Sequence, residues 1–296
     1  MIISVASGKG GTGKTTVSTS LAFSLAEREG VKFLDCDVEE PNAHIFIKPE
    51  IQRTETVHIL VPEVDESVCD FCGMCQKVCA YKAVAVLPAR ADAEGKVLVF
   101  QELCHGCGAC SYLCPKGCIS EVKRAVGIVE EGTRGRIEFV HGKLNIGEAM
   151  APPVIREVRK REGEGKTVII DAPPGTSCPV ISSIMGTDFC LLVTEPTPFG
   201  LNDLILAVEV LRKIKIPFAV VINRADMGDA DTDKYCLAEN IPILMRIPFK
   251  KEIASAYSEG TSIVEAFPEY KKDFLNMFNE IKKLAQPKAS EKGKRG

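Results

Sequence analysis

Ile2-Ile3-Ser4-Val5-Ala6-Ser7-Gly8-Lys9-Gly10-Gly11-Thr12-Gly13-Lys14-Thr15-Thr16 is the stretch whose reading decides the fold. A short β-rich run at 2–6 leads into a glycine loop, and an apolar-periodic stretch from Val17 to Ala26 follows. Strand, glycine loop and helix in that order are the context in which Gly8-x-x-x-x-Gly13-Lys14-Thr15 acts as a Walker A phosphate-binding loop. Backbone N–H groups of the loop, from Gly8 through Lys9, Gly10, Gly11, Thr12, Gly13, Lys14, Thr15 and Thr16, then surround the phosphates together with the helix N-terminus. Lys14 reaches the β and γ phosphates, and the Thr15 hydroxyl ligates magnesium.

Working outward, Thr167-Val168-Ile169-Ile170-Asp171 is an apolar run ending in an aspartate. Such a run is weak by itself, but after a Walker A loop it reads as a Walker B strand, buried on both faces and delivering Asp171 to the magnesium water shell. Gly175, just beyond, is placed to let the backbone approach the γ-phosphate as a switch. Further strands are expected at 31–35, 57–61, 136–140, 189–194, 218–222 and 243–247, with helices near 14–28, 150–162, 177–185, 200–213 and 232–239. Alternating helices and apolar strands predict an α/β fold with a mainly parallel sheet covered on both faces. Nucleotide then binds beyond the strand C-termini, where Asn223 ends a strand. Asn223-Arg224-Ala225-Asp226 also has the look of a guanine-reading signature, which keeps GTP open as a minority alternative to ATP.

The lysine directly after the first glycine makes the loop more specific. As Lys9-Gly10-Gly11-Thr12-Gly13-Lys14-Thr15-Thr16 it resembles the deviant Walker A of the MinD/ParA/Mrp family of P-loop NTPases, which includes the nitrogenase iron protein. The resemblance implies that Lys9 reaches in trans toward a partner's phosphates, and hence a nucleotide-sandwich dimer with itself or a paralogue. Asp35-Cys36-Asp37-Val38-Glu39-Glu40-Pro41-Asn42 resembles the family's first switch, which gives Asp37 the positioning of the attacking water and places it, with Thr15 and Asp171, around magnesium. It also implies Asp35 near the magnesium shell, Asn42 as the switch asparagine and Asn223 at the base. Asp171-Ala172-Pro173-Pro174-Gly175-Thr176 looks most like the Mrp branch. Lys9, Lys14 and Asp37 are therefore the expected catalytic residues.

Between the first switch and the later strands the α/β pattern is interrupted. Cys69-x2-Cys72-x2-Cys75-x3-Cys79 and Cys104-x2-Cys107-x2-Cys110-x3-Cys114-Pro115 share one spacing, repeated after roughly 35 residues. Structural zinc sites favour two separated Cys-x2-Cys pairs, which fits poorly. Nothing at the N-terminus resembles a signal peptide, so free thiols in a reducing, cytoplasmic compartment are expected over disulfides. The doubled run resembles bacterial two-cluster ferredoxins, in which the fourth cysteine of each run ligates the other cluster. That resemblance implies one 4Fe-4S cluster on Cys69, Cys72, Cys75 and Cys114, and a second on Cys104, Cys107, Cys110 and Cys79. Ala80 departs from the pattern, which expects proline. Cys118 fits neither set and reads as a buried or spare thiol. Cys178 stands seven residues after Asp171, the offset of a cluster-ligating cysteine in the nitrogenase iron protein, but no second such cysteine matches and an unliganded core thiol is the simpler reading.

These readings predict an ATPase domain over 1–62 and 122–286, an inserted α+β bacterial-ferredoxin-like domain over 63–121 and a disordered basic tail over 287–296. The chain has 296 residues and a formal net charge of -3, so no basic field advertises nucleic acid. No apolar stretch reaches membrane-span length. Phe274, Leu275, Met277, Phe278, Ile281 and Leu284 form a stripe at helical spacing that is expected to dock on its own domain, although MinD itself uses such a helix on membranes. The expected cofactors are ATP, Mg2+ and two 4Fe-4S clusters, and the expected activity is a slow ATPase. Its expected purpose is ATP-linked electron transfer to a redox partner; the alternatives are assistance in metal-cofactor assembly on a partner protein and, less favoured, a MinD- or ParA-like positioning role.

Overall fold

The computed structural model describes residues 1–91 and 93–286. The basic tail expected over 287–296 lies outside the described residues. Two compact units divide the chain: one of Met1–Thr54, Val129–Lys143 and the chain from Ile155 onward, the other of Glu55–Ile128 and Leu144–Val154.

The strands in chain order are β1 (Ile2–Ala6), β2 (Val31–Asp35), β3 (Glu50–Val64), β4 (Val84–Leu87), β5 (Lys96–Val99) and β6 (Ile119–Arg134). They continue with β7 (Ile137–Leu144), β8 (Thr167–Asp171), β9 (Phe189–Thr194), β10 (Phe218–Asn223) and β11 (Ile243–Ile247). Nine of them form one sheet in the order β11-β10-β9-β1-β8-β2-β7-β6-β3. From β11 through to β7 every pairing is parallel. Val5 on β1 is paired with Asp171 on β8, and Asp171 with Asp35 on β2, so two carboxylates arrive side by side at the strand ends next to the glycine loop.

Strands buried on both faces explain the nearly continuous apolar runs. Phe189, Leu191 and Val193 point to one core, which holds Val17, Leu21 and Leu25 of the helix Lys14–Ala26 and Phe274, Met277, Phe278 and Ile281 of the helix Lys271–Ala285. Cys190 and Leu192, one residue out of phase, point to the other core with Leu204, Val208 and Leu211 of the helix Pro198–Ile214. Each such aliphatic side chain contributes about 1.5–3 kcal/mol on burial. The helix Pro198–Ile214 starts where Thr197 accepts a hydrogen bond from the Gly200 N–H at 3.0 Å with proline in the first turn, and it ends at Lys215, which is left-handed with φ 59. The C-terminal stripe docks as expected, except that Leu284 remains 40% exposed.

Two differences from the sequence reading concern β3 and β6. The strand expected at 57–61 runs from Glu50 to Val64, and β6 has no counterpart in the expected elements although it spans 16 residues. Gly127, Gly132 and the charged pair Glu130-Glu131 break its apolar alternation, which hides a strand from periodicity. Gly135, with φ 56, turns β6 into β7 through a two-residue connection that permits only an antiparallel pair.

In the smaller unit, β4 and β5 pair antiparallel, with Val84 opposite Val99 and Val86 opposite Val97. Its two short helices, Met74–Val78 and Ala109–Tyr112, each carry the third cysteine of a run and each follow a left-handed glycine, Gly73 (φ 75) and Gly108 (φ 71). Buried Cys75, Val84, Val97, Cys118 and Ile119 pack with the partly buried Cys69, Phe71, Cys110 and Cys114, so thiols make up much of this unit's core.

Candidate functional site

The glycine loop at the end of β1 takes its shape from positions where a side chain cannot stand. Gly11 and Gly13 have φ 77 and 93, and a Cβ on Gly13 would collide with the Asn223 amide, while one on Gly8 would collide with the Asp203 backbone. Asn223 Nδ2 donates to the Thr12 carbonyl at 2.9 Å and ties the end of β10 to the loop. The Ser7 hydroxyl donates to the Lys9 carbonyl at 2.5 Å.

Three carboxylates crowd this edge. Thr15 Oγ1 donates to Asp171 Oδ2 at 2.6 Å, while Asp171 Oδ1 is buried with no hydrogen-bond partner among the described residues. A bare carboxylate oxygen beside the threonine hydroxyl fits a hydrated magnesium ion. Burial pushes Asp171 up to about 6, against the pull of Lys14 and the Thr15 hydrogen bond. Burial likewise pushes Asp37 up to about 7, with Lys14 opposing and Asp171 adding to it. Burial and the Asp171 charge push Asp35 well above the usual carboxylate range. Asp35 accepts backbone N–H bonds from Asp37 and Ala43, each at 3.1 Å, so it shapes the switch loop. Lys9 lies 3.4 Å from Glu195, a nearly buried carboxylate that also holds Arg224 at 2.6 Å.

A cavity of about 380 Å³ opens over the loop, a size suited to a nucleotide. Gly10, Gly11, Gly13, Lys14, Thr15, Thr16, Asp37 and Asn223 line it, together with Glu40, Asn42, Pro174 and Arg224. Gly8, Lys9, Thr12, Asp171 and Gly175 lie outside that lining; Gly175, with φ 97, gives its N–H to the Ser7 carbonyl at 3.0 Å. The far wall is Pro248, Phe249 and Lys250 with Ile253, Ala254 and Tyr257 of the helix Lys251–Ser258. Sequence reading missed that helix and Glu195. Their one signal was position, just after β11 and β9 respectively. Asp226, the last residue of the guanine-like signature, accepts the Phe249 N–H at 2.6 Å and does not line the cavity, so it fastens a loop.

The cysteines of the smaller unit divide between two hollows. Cys69, Cys72, Cys75 and Cys114 line one, with Cys118. Cys79, Cys104, Cys107 and Cys110 line the other. Each hollow thus draws one thiol from the opposite run. Backbone N–H groups already point at three of the sulfurs: Phe71 at Cys69 (3.4 Å), Ala83 at Cys79 (3.3 Å) and Gly106 at Cys104 (3.4 Å). None of the thirteen cysteines is bridged. Among the described residues, no three of His, Cys, Asp or Glu converge as they would on a single metal ion. Cys178, expected to be a core thiol, is instead exposed at the start of the helix Cys178–Ile184, while Cys36, Cys190 and Cys236 are buried.

A glycine loop closing the first strand of a parallel sheet, with a carboxylate delivered by the adjacent strand, defines a P-loop ATPase. Residues 3–263 match the CobQ/CobB/MinD/ParA nucleotide binding domain, and the chain belongs to that family. An uncharacterized protein of Methanocaldococcus jannaschii is 32% identical over 95% of this chain and 96% of its own length. An iron-sulfur cluster carrier protein of Pyrococcus horikoshii is 24% identical, over 95% of this chain and 87% of its own. Among solved structures, the septum site-determining protein MinD of Pyrococcus horikoshii, complexed with Mg-ADP, superposes with a TM-score of 0.59 at 20% identity, covering 98% of each chain. At that identity the likeness is one of fold. No described helix is long and apolar enough to cross a membrane.

Proposed function

We propose that this chain is an ATP-hydrolysing switch that works as a dimer, with itself or a paralogue, and links nucleotide turnover to electron transfer through a ferredoxin-like unit at 63–121. The observation that carries the reading is that the eight cysteines of the two runs divide four and four between two hollows, each set completed by the other run. Such crossed sets suit two 4Fe-4S clusters, with Cys69, Cys72, Cys75 and Cys114 holding one and Cys104, Cys107, Cys110 and Cys79 the other. When bound, the clusters supply one-electron carriers whose potentials respond to hydrogen bonds at sulfur. The thiolates, the N–H donors of Phe71, Ala83 and Gly106 and the left-handed glycines hold the chain around them.

At the other site, Lys14 holds the β and γ phosphates of ATP, and Thr15 and Asp171 hold magnesium and its water shell. Asp37, once deprotonated, orients the attacking water. Asn223 keeps the loop shaped, Gly175 relays the loss of the γ-phosphate and Lys9 leaves Glu195 for the phosphates bound by the partner. ATP then closes the dimer and hydrolysis opens it. A second reading, an ATPase that assists metal-cofactor assembly on another protein, draws on the relatives named iron-sulfur cluster carrier proteins in three Pyrococcus species.

Anaerobic purification, iron counting and redox-titrated EPR with and without MgATP test both. About eight irons per chain, with midpoints that move on nucleotide binding, are expected. Eight irons with unmoved midpoints favour the assembly reading; zinc in place of iron rejects the cluster assignment.

A further inference from the structure

Cys118 belongs to neither run of four, yet it lines the same hollow as Cys69, Cys72, Cys75 and Cys114. Its Sγ lies 3.4 Å from Cys114 Sγ, and the residue is 6% exposed. The chain is built to bring it there. Gly117, left-handed with φ 61, gives its N–H to the Cys114 carbonyl at 3.2 Å and folds the chain back over Cys114. The Cys118 carbonyl then accepts the Asp65 N–H at 2.8 Å, which anchors it to the chain entering the first run. One hollow therefore holds five thiols where a cubane cluster takes four. The other, lined by Cys79, Cys104, Cys107 and Cys110, has no fifth cysteine among its lining residues.

We infer that Cys118 is a reserve ligand of the first hollow: its thiol donates to the Cys114 sulfur while Cys114 is bound, and it takes the place of Cys114 when that ligand is lost. The inference rests on the two-cluster reading above. The exchange is balanced within the protein. The iron–sulfur bond to Cys114 breaks, the bond to Cys118 forms and the Cys118 proton passes to the Cys114 sulfur across the S···S contact. No electron leaves, so no oxidant or reductant is needed. The second hollow lacks this device and serves as an internal control.

Iron content, EPR and redox titration of anaerobically purified full-length variants test the inference. Cys114→Ala is expected to keep about eight irons per chain, whereas Cys114→Ala/Cys118→Ala and the control Cys79→Ala fall to about four. Cys118→Ala alone keeps about eight irons but lowers one midpoint, because a hydrogen bond to a ligand sulfur is removed. Loss of half the iron from Cys114→Ala with Cys118 intact, or a Cys118→Ala protein whose midpoints all match the parent, overturns it. A parent protein that binds no iron removes the two-cluster reading and this inference together; a parent with about eight irons and a Cys114→Ala variant with about four removes the inference alone.

Discussion

Burial drives Asp35, Asp37 and Asp171 toward the protonated state, the Asp171 charge adds to it at Asp35 and Asp37, and Lys14 opposes it at Asp37 and Asp171. A carboxyl whose folded pKa is raised binds more protons folded than unfolded, so stability is greatest below the ordinary carboxylate pKa and is lost as pH rises through the folded value. For Asp37 that window runs from 3.8 to about 7. The nucleotide-free protein should therefore melt at higher temperature at pH 5.5 than at pH 7.5. Asp37→Asn should flatten the difference, and MgADP should shrink it by favouring the ionised forms; scanning calorimetry reads all three. Lys14→Ala should lower kcat for ATP hydrolysis by about 100-fold or more, since the ammonium acts on charge that develops at the transferred phosphate, as a phosphate-release assay would measure. The glycine loop with Asp37 and Asn223 at the cavity, and Asp171 beside Thr15, were legible because loop spacing and strand ends mark them in the sequence. Ile253, Ala254 and Tyr257 were not, because they reach the cavity only through the packing of a later helix.

The helix Lys271–Ala285 places Phe274, Met277, Phe278 and Ile281 in the core and leaves Leu284 at its edge. Met277→Ala should cost about 2–5 kcal/mol in urea-induced unfolding. Leu284→Ala should cost much less, because its side chain keeps much of its water contact. Thr197→Ala removes the acceptor for Gly200 N–H and should cost about 1 kcal/mol. Elements with strong apolar patterning were legible from sequence almost to the residue, as Ile243–Ile247 illustrates. β6 was not, because a strand interrupted by glycines and paired glutamates is held by its neighbours in the sheet and carries little periodic signal of its own.

For the molecule as a whole, the parallel sheet and the site at its strand ends follow from alternating apolar runs and one glycine loop, whereas the division of thiols between two hollows depends on how the smaller unit folds. That division makes a prediction about which cysteines act together. Cys79→Ala should erase the same EPR signal as Cys104→Ala and spare the one erased by Cys69→Ala, although Cys79 belongs to the same run as Cys69. If Cys79→Ala and Cys69→Ala erase the same signal, the crossed assignment is wrong. The crossing also sets an order on synthesis. As the chain leaves the ribosome the Cys69 run emerges first, yet its hollow is the last to be completed, because it waits for Cys114. The second hollow has all its thiols once Cys110 is out. A nascent chain stalled after Cys79 has four cysteines in sequence and a complete set for neither hollow, so on the cluster reading proposed above metal loading is deferred until the unit can close.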